Sequence, residues 1–431
     1  MPLPRFCDGS SMLTETQQFM RPRLPKHHRC AGDLCVEVPA ISADTTNSLV
    51  MEIFASQKEE LVCLAVVEHG RPIGLINRNI FLSQMSKPFH REIYDKKSCI
   101  AFMDKEPLVV DAKMSIEDLS FKTVEYGEKA LADGFIVTRD GAFIGLGNGL
   151  RLMGVVAAIQ AERNRQMMQS IEYASVIQRA MLRASRDALA STLDDAALVW
   201  EPRDVVGGDF YHFAAYHDGW FGAIADCTGH GVPGAFMTMI ASSSLTQALA
   251  QHGPRNPADL LSAVNKSVKG LLGQVDGVDD TPESDDGLDA AFIWFDTVSC
   301  TLSFAGANLG LHILAPGAEQ FESHAGERMG VGYVNSAFDY QWPISRIAVA
   351  PDSLVFITTD GLIDQVGGPK KISLGKRHVF KAIVEHRDRP TAEICSAVQR
   401  TLASWQQGQT RRDDVTLFCA RLLVTSRNND E

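Results

Sequence analysis

The chain has 431 residues, 45% of them hydrophobic and 22% charged, with a net charge of −12 at pH 7. That composition supports sizeable cores in two or three domains. The acidic balance argues against sequence-independent nucleic-acid binding, which needs Lys and Arg to neutralise phosphates, and no apolar run of about 18 residues predicts a membrane span. Residues 1–35 read as an N-terminal extension without the apolar centre of a signal peptide. The 9 cysteines are scattered and odd in number, which predicts free thiols in a reducing cytoplasm. His27, His28, Cys30 and Cys35 are metal-ligating types, but their spacing fits no common zinc finger or ribbon.

Residues 36–155 contain an internal repeat. LAVVEHGRPIGLI (64–76) and FIVTRDGAFIGLG (135–147) are each an apolar strand, a polar turn ending in Gly, and a second strand with Ile-Gly-Leu. AISADTTNSLVMEIF (40–54) and VVDAKMSIEDLSFKTVE (109–125) precede them, each an extended stretch followed by a Thr or Ser able to cap a helix. The unit is β-α-β-β, and one copy cannot bury both faces of its sheet, so the two copies are expected to pack together. This duplicated pattern resembles a CBS-domain pair. The resemblance implies an α/β sensor domain with an adenine nucleotide in the cleft between repeats. The family's usual ribose-binding aspartate is replaced here by Asn77-Arg78-Asn79 and Gly147-Asn148-Gly149.

A long helix is expected over 150–189, with 156–192 as a linker. Ile159, Met167, Ile171, Ala174, Ile177 and Met181 recur near the helical period. Such a stripe serves either a parallel homodimer or packing on the chain's own domain.

From 193 to 425 the texture changes to short strands. ALVWEP, GDFYHFAAY, GWFGAIAD, DAAFIWFD, LSFAGANLGLHIL, SLVFITTD and DVTLFCARLL are aromatic and β-branched. Helical stretches are expected at 233–252, 257–273, 376–387 and 391–407, and an acidic turn-rich loop at 274–290. The expected class is α+β, with a sheet-on-sheet core covered by helices.

Four aspartates here share one context. Asp209 follows Gly-Gly, Asp226 precedes CTGHG, Asp360 precedes Gly361, and Asp413 precedes Asp414 and an apolar strand. A buried lone carboxylate is costly or neutral. Four converging carboxylates need a cation, and all-oxygen ligands suit hard ions such as Mg²⁺ or Mn²⁺.

GGDFY (207–211), ADCTGHGVPGA (225–235), TTDGLID (358–364) and RRDDVTLF (411–418) resemble the metal-dependent serine/threonine phosphatases of the PPM family, in its SpoIIE/RsbU branch. SIEYASVIQRAML (170–182) is similar to that branch's linker helix, and TDGLIDQVGGPKKISLGKR (359–377) to SiaA-type members. The resemblance implies a sandwich of two antiparallel sheets flanked by helices. It also implies a cytoplasmic enzyme acting on a phosphorylated STAS-domain antagonist in a partner-switching pathway. It assigns two Mn²⁺ or Mg²⁺ ions. Asp209 would bridge them, with Asp226 and the Cys227 carbonyl at one, Asp360 and Asp413 at the other, and Asp414 behind them. Two cations about 4 Å apart make a bridging water acidic enough to attack phosphorus in line. His230 would either protonate the leaving oxygen or hold the Gly-rich loop. Asn308 would contact substrate or form a turn, and Asp289 would bind a third, weak ion. His212 and His217 are expected on a strand face. A silent scaffold that only binds its partner, and a regulator whose main business is nucleotide sensing, are the alternatives.

Overall fold

The structure is a computed structural model that describes residues 30–56, 61–275 and 284–422. His27, His28 and residues 276–283 of the acidic stretch fall outside the described residues. The chain forms two compact units, Met1–Gln166 and Met167–Glu431.

In the first unit, strand β1 (Cys35–Val36) is followed by β2 (Ala40–Ile41), helix α1 (Asn47–Ser56), β3 (Cys63–Glu68), β4 (Arg71–Asn77), α2 (Arg78–Met85) and α3 (His90–Tyr94). Then come β5 (Val109–Asp111), α4 (Ile116–Tyr126), α5 (Glu128–Asp133), β6 (Phe135–Arg139) and β7 (Ala142–Gly147), and α6 (Gly149–Thr192) begins in this unit and continues into the second. The pairing repeats: β2 runs parallel to β3 and β5 to β6, while β4 and β7 return antiparallel. A parallel pair needs a crossover, supplied by α1 in one copy and by α4 and α5 in the other. Both hairpins turn through two residues of positive φ, His69-Gly70 and Asp140-Gly141, as the right-handed twist of the strands favours. Side chains on alternate faces divide the work. Cys63, Ala65 and Leu75 meet Ile136 and Leu146 between the copies. Leu64, Val66 and Ile76 pack on Val50 and Phe54, and Phe135 and Val137 on Leu119 and Leu152.

The second unit holds β8 (Ala196–Glu201), β9 (Asp209–Tyr216), β10 (Gly219–Cys227), α7 (Gly231–His252), α8 (Pro257–Leu272), β11 (Leu288–Asp296), β12 (Thr301–Ala307), β13 (Leu311–Leu314) and β14 (Glu322–His324). It continues with β15 (Ser345–Ala348), β16 (Leu354–Thr358), α9 (Asp360–Ile363), β17 (Val366–Gly367), β18 (Ile372–Ser373), α10 (Gly375–Glu385), α11 (Thr391–Gln406) and β19 (Val415–Arg421). Two antiparallel five-stranded sheets result, ordered β15-β12-β11-β10-β9 and β14-β13-β16-β19-β8. Phe213 and Trp220 of the first sheet meet Phe418 of the second in the shared core. Helices α7 and α8 cover the first sheet, and α10 and α11 the second.

Two expectations need correcting. LSFAGANLGLHIL is not one strand. Asn308, at φ 58°, breaks it, and its halves β12 and β13 join different sheets. The helix stripe is also divided. Leu182 and Leu189 of α6 enter the core of the second unit beside buried Ser175, Gln178 and Ser185, with Ile171, Ala174 and Met181 half-buried. Met167 and Ile177 are exposed, as are Tyr173 and Val176. The face that packs on its own domain is therefore richer in small and polar residues than periodicity alone suggests.

Candidate active site

The register of the first sheet places Asp226 opposite Asp209 on one side and Asp289 on the other. Directly opposed residues share a face of the sheet, with Cβ atoms about 5 Å apart, and like charges so placed destabilise it. Three carboxylates thus form a row across β9, β10 and β11. The second sheet adds to the same cluster. β16 and β19 pair Thr358 with Leu417, so Asp360, just after β16, and Asp413, just before β19, leave at one end. The negative charges of Asp209, Asp360, Asp413 and Asp289 all act on Asp226, and that of Asp413 on Asp360.

Asp209 is 1% exposed. Its Oδ2 accepts from Thr416 Oγ1 at 2.7 Å and from Thr359 Oγ1 at 2.8 Å. Thr359 Oγ1 in turn accepts from Thr416 N at 3.0 Å. Asp209 Oδ1 is buried and has no hydrogen-bond partner. One oxygen is locked to the opposite sheet; the other is left for something outside the chain's own donors. The two threonines were not legible as site residues, because TTD and DDVT also read as ordinary strand ends.

Asp414 is pinned differently. It accepts from Arg203 N and Gly208 N, each at 2.5 Å, and so ties the turn before Asp209 to the start of β19. Gly208 has no alternative residue here, since a Cβ would lie 2.3 Å from the Gly229 carbonyl and 2.8 Å from that of Cys227. Gly207 is gripped from the linker helix: Gln178 Nε2 donates to its carbonyl at 2.7 Å, and Gln178 Oε1 accepts from its N–H at 3.3 Å.

Burial raises Asp209, Asp226, Asp289, Asp360 and Asp414 above the ordinary carboxylate range. Neighbouring carboxylates add to this at every one of them except Asp289, where burial acts alone against the Asn308 hydrogen bond. Among the described residues no three His, Cys, Asp or Glu side chains close into a finished ligand shell. The donor set nonetheless fits hard divalent cations: it is all oxygen, it is crowded with like charge, and its central residue has an orphaned buried acceptor.

The family model described as stage II sporulation protein E (SpoIIE) matches residues 217–423. The solved SiaA-PP2C domain of Pseudomonas aeruginosa is similar at 33% identity, covering 61% of this chain and 99% of that one, with a TM-score of 0.54. The chain belongs to the SpoIIE family of PP2C-type phosphatases. Members are metal-dependent serine/threonine phosphatases, so this protein is such a hydrolase. The RsbU and RsbW domains of Rv1364c from Mycobacterium tuberculosis match at 21% identity over 53% of this chain and 60% of theirs, TM-score 0.42. The phosphatase domain of SpoIIE from Bacillus subtilis, solved with a fragment of its regulatory domain, matches at 14% over 53% and 63%, TM-score 0.42. No curated protein matches this chain.

The remaining residues of the phosphatase fall into place around the cluster. The Cys227 thiol is buried, and burial followed by the charge of Asp226 pushes it well above its ordinary range, which disfavours a thiolate nucleophile. His230 caps α7, and its Nδ1 lies 2.9 Å from Asp204 Oδ2, a contact that holds the Gly-rich loop. Asn308 Nδ2 donates to Asp289 Oδ1 at 2.8 Å, so the turn and the carboxylate expected to serve separately are joined. His212 lies along β9 against Phe221, where burial lowers its pKa, and His217 pairs with Asp218 in the following turn rather than on a strand face. Tyr333, unnoticed in the sequence, lies within 3.3 Å of Thr228 Oγ1 beside the CTGHG loop.

Proposed function

We propose that this phosphatase removes phosphate from a phosphoserine or phosphothreonine of a STAS-domain antagonist in a partner-switching pathway, under control of its N-terminal unit. The observation that carries the catalytic part is the Asp209–Asp226–Asp289 row, met by Asp360 and Asp413, with Asp209 Oδ1 left without a donor. The substrate class is supported by the SiaA-like stretch 359–377 and by the similarity to the SiaA domain.

Two Mn²⁺ or Mg²⁺ ions would be held by Asp209, Asp226, the Cys227 carbonyl, Asp360 and Asp413. Such ions would supply positive charge against the phosphoryl oxygens and acidity to the attacking water. The chain's own residues do the rest. Thr359 and Thr416 fix the orientation of the Asp209 carboxylate. Asp414 and Gln178 hold the Gly207-Gly208 turn that presents it. The bare CTGHG backbone leaves room for a phosphate. His230, with Nδ1 engaged by Asp204, has Nε2 available to protonate the leaving oxygen. The buried thiol of Cys227 is no nucleophile, so attack by water needs no phosphoenzyme.

Control through α6 is supported by Gln178, since movement of the helix would move the turn before Asp209. A homodimer along α6 is supported by the exposure of Tyr173, Val176 and Ile177, at 69%, 59% and 46%. A CBS-like sensor binding an adenine nucleotide is supported by a cleft in the first unit lined by Val38, Leu61, Cys63, Asp133, Leu146 and Asn148. A cytoplasmic location is in keeping with the described residues, where no helix is long and apolar enough to cross a membrane.

The deciding experiment is Mn²⁺-dependent release of phosphate from a phosphoserine protein, with Asp209→Asn as control. The reading predicts turnover that chelation abolishes and that the variant lowers by at least about 1,000-fold, as loss of a central catalytic group does. Equal rates for the two proteins would sink it in favour of a silent scaffold.

A further inference from the structure

The chain is acidic overall, at −12, yet the segment just past Asp360 is not. Residues 365–378, QVGGPKKISLGKRH, carry Lys370, Lys371, Lys376 and Arg377 and no Asp or Glu. All four cations are exposed, and none makes an ion pair among the described residues. Most charge runs are simply solvated faces. This one is anchored.

The β17–β18 hairpin pairs Val366 with Ser373 and Gly367 with Ile372. Its root is Gln365, 1% exposed, whose Nε2 donates to the Thr410 carbonyl at 3.1 Å and whose Oε1 accepts from Arg412 N at 3.2 Å. Arg412 directly precedes Asp413, so the root is fixed to the segment that carries that carboxylate. The far side is clamped by Trp405. Gly368 N donates to the Trp405 carbonyl at 2.7 Å, and Trp405 Nε1 to the Ile372 carbonyl at 3.1 Å. A Cβ on Gly367 would lie 2.0 Å from that tryptophan carbonyl. Between the cations, Ile372 is 53% exposed. The result is a held basic platform with an apolar centre, tied at its root to the segment that carries Asp413 and clamped on its far side by Trp405.

We propose that this hairpin docks an acidic face of the phosphoprotein substrate and so delivers its phosphoserine to the carboxylate cluster; the proposal rests on the phosphatase reading above. The argument is electrostatic. A phosphoserine carries about −1.5 to −2 charge at pH 7. It must approach a chain of like sign and a row of aspartates. Cations on a hairpin rooted beside Asp413 offset that repulsion and raise the encounter rate, an effect that salt weakens.

The test uses the full-length chain with Mn²⁺ and three probes: p-nitrophenyl phosphate, a phosphoserine peptide flanked by four glutamates, and the same peptide flanked by four alanines. At low salt the unaltered protein is expected to favour the acidic peptide in kcat/KM by about 10-fold, with the preference fading as salt rises. Reversal of charge at Lys370→Glu, Lys371→Glu, Lys376→Glu and Arg377→Glu should abolish that preference and leave p-nitrophenyl phosphate turnover within about two-fold. Lys370→Ala with Lys371→Ala is the milder pair, giving a partial loss if the fourfold variant does not fold. A ratio near one in the unaltered protein, or an unchanged ratio in the variants, overturns the docking role. Parallel loss with all three probes also overturns it, since the hairpin would then support the site rather than the substrate. If the unaltered protein turns over none of the probes, the phosphatase reading itself fails and takes this one with it.

Discussion

Two threonine hydroxyls aim the Asp209 carboxylate. Thr416 donates at 2.7 Å to the same oxygen that Thr359 reaches at 2.8 Å; Thr416 lies within β19 and Thr359 just past the end of β16. Nothing in a linear sequence reports that convergence. Thr416→Val keeps shape and removes one donor, so Asp209 should swing more freely. Outer partners of this kind typically change metal affinity or activity by roughly 10–100-fold. The expected result is a rightward shift of that order in the Mn²⁺ titration of activity, with turnover at saturating Mn²⁺ less affected; an unshifted titration would remove the threonine from the site. His312 makes a prediction about stability instead. It is 5% exposed, ringed by Phe321, Phe356 and Phe380, with Nδ1 2.8 Å from Ser323 Oγ. Burial, then the charges of Lys376 and His324, push it down to about 4. Its folded pKa lies below its unfolded value of about 6.5. The unfolded chain therefore binds the extra proton first, and stability falls as pH drops from about 6.5 towards 4, by up to about 3 kcal/mol. His312→Phe should flatten that part of the pH–stability curve, and an identical slope in the variant would refute the assignment.

At the scale of elements, periodicity shows that α6 is a helix but not which side of it matters. The apolar residues at helical spacing drew attention to Met167 and Ile177, which are exposed. The contact with the Gly207 turn is made by a buried glutamine on the packed face, Gln178, and polar residues carry little weight in a hydrophobic pattern. The β12–β13 break was hidden for a related reason. Asn308 turns the chain through a positive φ that an apolar run on both sides conceals. Gln178→Ala leaves both polar groups of Gly207 without the glutamine, at a cost of about 1–3 kcal/mol. If α6 also tunes the site, the variant will need more Mn²⁺ for half-maximal phosphate release, beyond what its lowered Tm explains. A lower Tm with an unaltered Mn²⁺ requirement would reduce Gln178 to a structural clamp.

Across the whole molecule, the change of texture near residue 193 separates the duplicated sheets from the sandwich, and the expected linker 156–192 lies within α6. Composition alone could not place the two units' division at Gln166 and Met167, because no turn or glycine marks it. The division makes one prediction possible. Five carboxylates, all raised above their ordinary range, belong to the second unit alone. Folding that unit without cations confines like charges that the unfolded chain would keep apart in water. Ions that bind only the folded state add RT ln(1 + [L]/Kd), about 2.7 kcal/mol at 100 times Kd. Calorimetry in chelator and in Mn²⁺ should therefore show one transition rising with metal concentration while another, from the first unit, stays where it is. Asp209→Asn should remove most of the rise, because the residue expected to bridge both ions is lost. The same variant also relieves like-charge repulsion, so its metal-free transition should lie above that of the unaltered protein. A variant destabilised in chelator and still responsive to Mn²⁺ would show that Asp209 supports the fold rather than the metals.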